Sequence, residues 1–230
     1  RKLVVALDGT GNKFGIKYSN VVDLYGRIMK SDDQRTYYNS GVGTYANASR
    51  MLPWRLVQQA VDSAIDLAVA RNFETMILAA YRWLTENYMP GNRIFLFGFS
   101  RGAYQVRVLA AMIKCVGLLA RGNQEQIPFA YELYVSNFHP QTHHILYCSD
   151  QYRCEIFRGK FSHEVSVHFM GLWDTVSSVG ITRGKGLPLV DDTGHICYVR
   201  HALALDERRV KFVPEHFYRS KASMKPSEVG

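Results

Sequence analysis

An α/β fold, a three-layer arrangement of a mostly parallel sheet with helices on both faces, is the architecture this sequence predicts. Three observations carry it. Apolar runs short enough to be strands alternate with stretches whose apolar residues recur at helical spacing. Three of the strand-like runs end in polar, glycine-rich sequence, at 8–12, 98–102 and 174–180. The middle one, Gly98-Phe99-Ser100-Arg101-Gly102, joins an apolar strand directly to the start of a helix.

The elements follow in chain order. Leu3 to Leu7 is a continuous apolar run, as expected of a strand buried on both faces. Asp8-Gly9-Thr10-Gly11-Asn12 follows as a turn. Asn20 to Met29 reads as a helix, with Asn20 as its expected cap and Val21, Leu24, Tyr25 and Ile28 on one face. Arg35 to Asn39 is a short strand that enters the loop Gly41-Val42-Gly43-Thr44. Helical spacing returns from Trp54 to Ala70, and again from Phe73 to Tyr88, where Phe73, Met76, Ile77, Ala80, Tyr81 and Leu84 form a stripe. Pro90-Gly91-Asn92 ends that helix. The apolar strand from Arg93 and its helix come next and close near Gly117. Residues 121–163 are polar, aromatic and irregular, with a helical stretch near 128–136; the expectation is an insertion over the site within a single domain spanning 1–230. Val165 to Leu172 is another strand, running into Trp173-Asp174-Thr175. Residues 181–198 read as loop, His201 to Arg209 as helix, and the tail from Ser220 is polar.

Composition bounds the function. At 230 residues the chain is long enough for one α/β domain with a substantial core. Hydrophobic residues make up 47% and charged residues 21%, which places the chain among ordinary globular domains rather than disordered or fibrous ones. No apolar run approaches the length of about 18 residues expected of a membrane span. The chain opens on a strand with no visible signal peptide, so a cytoplasmic location, or secretion without such a peptide, is the expectation. A formal net charge of +8 is compatible with an anionic surface such as phospholipid or nucleic acid. Its basic residues are scattered, so a solvated basic surface is preferred and no nucleic-acid partner is expected. Cys115, Cys148, Cys154 and Cys197 show no metal spacing. Cys115 lies on an apolar helix and reads as a buried thiol, while Cys148 and Cys154 flank a polar turn, either bridged or reduced. His143-His144 reads as a surface pair, and neither a metal nor a cofactor is expected.

In an open parallel sheet, sites lie beyond the carboxyl ends of the strands, so the three glycine-rich segments should meet at one edge. Gly-x-Ser-x-Gly between a strand and a helix is the signature of a nucleophile elbow. The glycines leave room for the sharp turn, which lifts the Ser100 hydroxyl above the sheet and sets the Arg101 N–H at a helix N-terminus facing a developing oxyanion. The bland alternative is a tight turn with an incidental serine. A serine hydroxyl attacks only when a base takes its proton, and the base is normally a histidine oriented by a buried carboxylate. Asp174, at the end of an apolar strand after the elbow, fits that acid; a capping or loop aspartate is the alternative. The N–H groups of Gly9 and Thr10 suit the second wall of an oxyanion hole, with Asp8 able to orient the loop. A phosphate cradle is the rival for this turn, but it lacks the Lys-Ser/Thr of a P-loop. Of eight histidines, His201 follows Asp174 in the order such a triad uses. Placed on a helix beside Leu205 and Asp206, it reads as a packing residue more than as the base.

The blocks Leu7-Asp8-Gly9-Thr10-Gly11-Asn12, Gly41-Val42-Gly43-Thr44, Gly98-Phe99-Ser100-Arg101-Gly102-Ala103, Gly171-Leu172-Trp173-Asp174-Thr175-Val176 and His201 to Arg209 occur in this order. The set resembles the α/β-hydrolase domain shared by bacterial type VI secretion phospholipase effectors and many uncharacterised fungal and bacterial proteins. That resemblance implies Ser100 as nucleophile and Asp174 as triad acid. It implies a lipid or small ester substrate, cleaved as a carboxylic ester, and peripheral contact with a membrane. It also implies that the catalytic histidine lies in a Gly-x-His-Ser-Asp-Val-Gly-Gly block downstream of the His201 segment, with the C-terminal portion of the fold beyond Gly230. The competing expectation is a catalytically incomplete hydrolase-like module that binds a membrane or a protein partner.

Overall fold

A computed structural model of the chain describes residues 1–9, 18–41, 73–136, 147–175, 190 and 193–204. Strand β1, Lys2–Leu7, is the apolar run read from the sequence, and Leu3 to Leu7 are all buried. It pairs in parallel with β2, Gln34–Asn39, on one side and with β3, Arg93–Phe99, on the other. Beyond β3 come β6, Val167–Trp173, and β7, Ile196–Ala202, both parallel. The sheet order is β2-β1-β3-β6-β7. The predicted parallel sheet with helices around it is therefore what forms.

The order reverses between β1 and β3. From β1 the chain goes outward to β2; from β3 it goes outward the other way to β6 and β7. Right-handed crossovers then put the two connecting helices, α1 (Asn20–Arg27) and α3 (Arg101–Val116), on opposite faces. The carboxyl ends of β1 and β3 flank the switch point, where parallel sheets open a crevice.

Helix α1, Asn20–Arg27, buries Val21 and carries an exposed Asp23–Arg27 ion pair at 2.9 Å. Its cap is Ser19, whose Oγ accepts from the Val22 N–H at 3.3 Å, so the helix starts one residue earlier than the Asn20 cap expected from the sequence. The next helix, α2, runs over 73–87 among the described residues. Its Tyr81 hydroxyl donates to the Gly117 carbonyl at 2.8 Å and accepts from the Leu119 N–H at 3.1 Å. Helix α3, Arg101–Val116, is buried along nearly its whole length and packs on β1, β3 and β6. Even its Arg107 is fully buried, with Nε donating to the Val190 carbonyl at 3.1 Å.

Two expectations are corrected here. Residues 121–163 are not mainly irregular. They hold two helices, α4 (Ile127–Ser136) and α5 (Tyr147–Phe161), and end in β5 (Ser162–His163), which pairs antiparallel with β4 (Leu118–Leu119) just before the segment. Both helices pack on α3 and supply Leu133, Tyr134, Cys154 and Phe157 to the core. Their apolar contacts stabilise helices that local sequence alone signals weakly. Cys154 accordingly faces Cys115, with Sγ atoms 3.2 Å apart. The second correction concerns His201, which lies in β7 opposite Leu172 of β6 rather than on a helix. Pairing with a buried strand overrides the helix propensity of the Ala-Leu-rich sequence that follows. The helix expected over 54–70, Thr10, most of the 41–44 loop and 205–209 lie outside the described residues.

Candidate active site

Ser100 follows β3 and caps α3 with φ 54° and ψ −120°. That conformation is outside the regions open to most L-residues. Its neighbours hold it there. The Ser100 N–H donates to the Trp173 carbonyl at 2.9 Å, extending the β3–β6 ladder by one step. The Ser100 carbonyl accepts from Ala103 and Tyr104 N–H groups at 3.1 and 3.3 Å, which starts α3. Its side chain makes no capping bond to the helix. The serine thus does not spend its oxygen on the local structure that positions it.

The two flanking glycines are sterically required. A Cβ at Gly98 would lie 2.5 Å from Ala103 Cα, and one at Gly102 would lie 2.3 Å from the Leu7 carbonyl oxygen. The tight crossing of α3 over β1 and β3 has room only for hydrogen at both positions. Arg101 is the first residue of α3, where the helix supplies no intrahelical acceptor for the N–H and the macrodipole is positive. Its guanidinium is half-buried, and burial pushes its pKa below the ordinary arginine value.

The end of β1 meets this turn. A Cβ at Gly9 would sit 3.3 Å from Ser100 Cβ and 3.1 Å from the Phe99 ring, so the Gly9 backbone runs alongside the serine. Asp8 is buried, and its carboxylate accepts from donors on two of the described residues. Oδ1 accepts from the Gly9 N–H at 2.7 Å, and Oδ2 accepts from the Tyr38 hydroxyl at 3.1 Å. Burial, then the Asp8 charge and its hydrogen bond, push the Tyr38 phenol well above its usual pKa, so it stays protonated as a donor. Gly9 therefore adjoins Ser100 as expected, but its N–H is turned onto Asp8. Tyr38 carries no signal in the sequence; it reaches Asp8 because β2 pairs beside β1, with Tyr38 opposite Ala6.

The third segment closes the edge. Phe99 pairs with Trp173 and Trp173 with Ala202, so Ser100 and Asp174 each lie one step past the same rung, on adjacent strands. Strand spacing puts their backbones about 5 Å apart. Asp174 is half-buried with φ 45°, a left-handed conformation that aspartate tolerates better than most residues. Its N–H donates to the Ala202 carbonyl at 2.9 Å, and its Oδ1 accepts from the Ala204 N–H. Thr175, fully buried, directs its N–H and its Oγ1 at the His201 ring nitrogen Nε2, at 3.4 and 3.0 Å. The three segments read from the sequence thus meet at one sheet edge, through Asp8–Gly9, Gly98–Gly102 and Asp174–Thr175. His201 joins them through Thr175.

The family model described as "T6SS, Phospholipase effector Tle1-like, catalytic domain" matches residues 1–229. A curated relative, "Uncharacterized protein YEL023C" of Saccharomyces cerevisiae, is 36% identical over 219 residues, covering 92% of this chain and 32% of its own length. The chain thus spans about a third of that relative. No solved structure matches it.

Proposed function

The chain belongs to the Tle1-like phospholipase effector catalytic-domain family, and from that premise we propose that it carries the nucleophile of a serine hydrolase acting on lipid or phospholipid acyl esters. The observation that carries the reading is the conformation of Ser100, φ 54° and ψ −120°, at the switch point of the sheet. Backbone strain of this kind persists where the surroundings over-determine it, and it concentrates at reactive sites.

In this account Ser100 Oγ attacks the ester carbonyl carbon while a histidine takes its proton. The resulting tetrahedral oxyanion accepts from the Arg101 N–H and from the Gly9–Thr10 backbone. In the resting arrangement the Gly9 N–H bonds Asp8 Oδ1, so substrate binding exchanges that acceptor for the oxyanion. Collapse of the intermediate breaks the carbonyl–alkoxy bond, and the histidine returns its proton to the leaving alcohol. Water then attacks the acyl-enzyme by the same route, releasing the fatty acid and restoring Ser100. Asp174 orients the histidine and stabilises its charged form. The histidine itself is assigned to the downstream Gly-x-His-Ser-Asp-Val-Gly-Gly block that the resemblance implies. The net charge of +8 is compatible with contact with an anionic lipid surface.

The test is fatty-acid release from phospholipid vesicles by the full-length protein and by Ser100→Ala. Loss of the nucleophile should lower turnover by about a thousandfold or more. Equal turnover by both proteins would reject Ser100 as the nucleophile.

A further inference from the structure

We propose that His201 is a positioning residue: its neutral imidazole fixes the turn that presents Asp174, and it is not the base that takes the serine proton. The proposal deepens the hydrolase reading above and rests on it for the activity measurements.

The argument starts from the donors on Thr175. A peptide N–H can only donate, so the 3.4 Å contact between the Thr175 N–H and His201 Nε2 requires Nε2 to accept. The Thr175 hydroxyl lies 3.0 Å from the same nitrogen and, with Nε2 unprotonated, shares its single in-plane lone pair as a second donor. That assigns the neutral tautomer with its proton on Nδ1, an assignment made from the hydrogen-bond network. A triad histidine needs the opposite use of its ring: one nitrogen facing the serine hydroxyl, the other donating to the acid. Here Nε2 faces Thr175, and the Asp174 Oδ1 accepts from the Ala204 backbone.

The same contacts show what the imidazole does. Asp174 sits at φ 45°, a left-handed conformation that is uncommon although aspartate tolerates it better than most residues. Backbone bonds to Ala202 and Ala204 hold the aspartate itself. His201 holds the next residue, and it does so from β7, whose register against β6 is set by the pairs Leu172 with His201 and Trp173 with Ala202. Thr175 is completely buried, so without His201 its N–H and hydroxyl would lack this acceptor where water does not readily replace it. The turn would relax, and the Asp174 carboxylate would lose the angle at which it orients the catalytic histidine. Chemistry would suffer while substrate binding did not.

The test uses the full-length protein with the variants His201→Gln, His201→Leu, Thr175→Val and Thr175→Ser, assayed on phospholipid vesicles. Glutamine places an oxygen acceptor near the position of Nε2 and has no acid–base chemistry. His201→Gln should keep kcat within about fivefold of wild type, and His201→Leu should lose about 10- to 100-fold in kcat with KM little changed, the scale seen when a partner that orients a functional group is removed. Thr175→Val should fall in the same direction, and Thr175→Ser should recover most of the loss. A glutamine variant as inactive as Ser100→Ala would make His201 the base and overturn the proposal. So would a folded leucine variant with wild-type kcat. If the leucine variant fails to fold, the glutamine and valine variants decide. A wild type without ester turnover would instead remove the hydrolase reading, and the imidazole ¹⁵N shifts of His201 then decide the positioning role alone. A protonated Nδ1 with a bare Nε2 near neutral pH supports it; a protonated Nε2 refutes it.

Discussion

Replacing Ser100 by glycine should make the protein more stable than replacing it by alanine, the reverse of the usual ranking. Both changes delete the hydroxyl, so neither variant is active and differences in substrate binding drop out. Alanine keeps a Cβ at φ 54° and ψ −120°, where an L-residue is strained. Such strain costs about 1–3 kcal/mol. Glycine removes it but adds flexibility to the unfolded chain, at about 0.5–1 kcal/mol. The difference leaves the glycine variant ahead by up to about 2.5 kcal/mol, centred near about 1 kcal/mol. For a domain of this size that is a rise in Tm of about 2–4 °C for each kcal/mol. Urea unfolding of the two variants, followed by circular dichroism, measures it directly. An alanine variant as stable as the glycine variant, or more so, would mean that Ser100 is not held in the strained turn, and the argument for a nucleophile elbow would fall with it.

Gly102→Ala should destabilise by about 1–3 kcal/mol or more, because its Cβ would meet backbone oxygens of Leu7 at 2.3 Å and Asp8 at 2.6 Å rather than a flexible side chain; wild-type stability in urea would contradict the close crossing of α3 over β1. Tyr81→Phe should cost about 1–3 kcal/mol by leaving the Gly117 carbonyl and the Leu119 N–H without their shared partner. Burial raises the pKa of Tyr38, Tyr81 and Tyr131, so each favours the folded state while protonated. That contribution is complete below the unfolded tyrosine value of about 10 and is lost as the pH rises above it. Stability should therefore fall above about pH 10, less steeply in Tyr81→Phe; a pH-independent midpoint there would refute the assignment. Incubation with a small-molecule disulfide should join Cys115 to Cys154, whose Sγ atoms lie 3.2 Å apart, and peptide mapping that finds Cys154 bridged to Cys148 instead would contradict the packing of α5 on α3.

The parts of the site legible in the sequence are those whose chemistry is local. The apolar run of β1, the strand before Gly98 and the two elbow glycines announce themselves because a buried central strand and a tight turn each restrict residue type at fixed positions. The Gly98 and Gly102 contacts at 2.5 and 2.3 Å are the physical content of that pattern. What was not legible depends on contacts between segments distant in the chain. Helix α5 buries Cys154 and Phe157 but leaves Tyr152, Ile156 and Phe161 exposed, so its apolar residues do not form a clean stripe. The sequence at His201 reads as helical because the residues after it favour helices, whereas its strand is imposed by pairing with β6. The donation of Tyr38 to Asp8 and the closure of Thr175 on His201 follow from sheet order, which no local pattern encodes.

The most direct test of the central claim is covalent capture of the nucleophile. The full-length protein is treated with a fluorophosphonate, which phosphonylates an activated serine with loss of fluoride, and the modified peptide is sequenced by mass spectrometry. The account predicts one modified residue, Ser100, with labelling abolished in Ser100→Ala and reduced in variants that disturb Asp174. Labelling that persists in Ser100→Ala, or that maps to another residue, would contradict it.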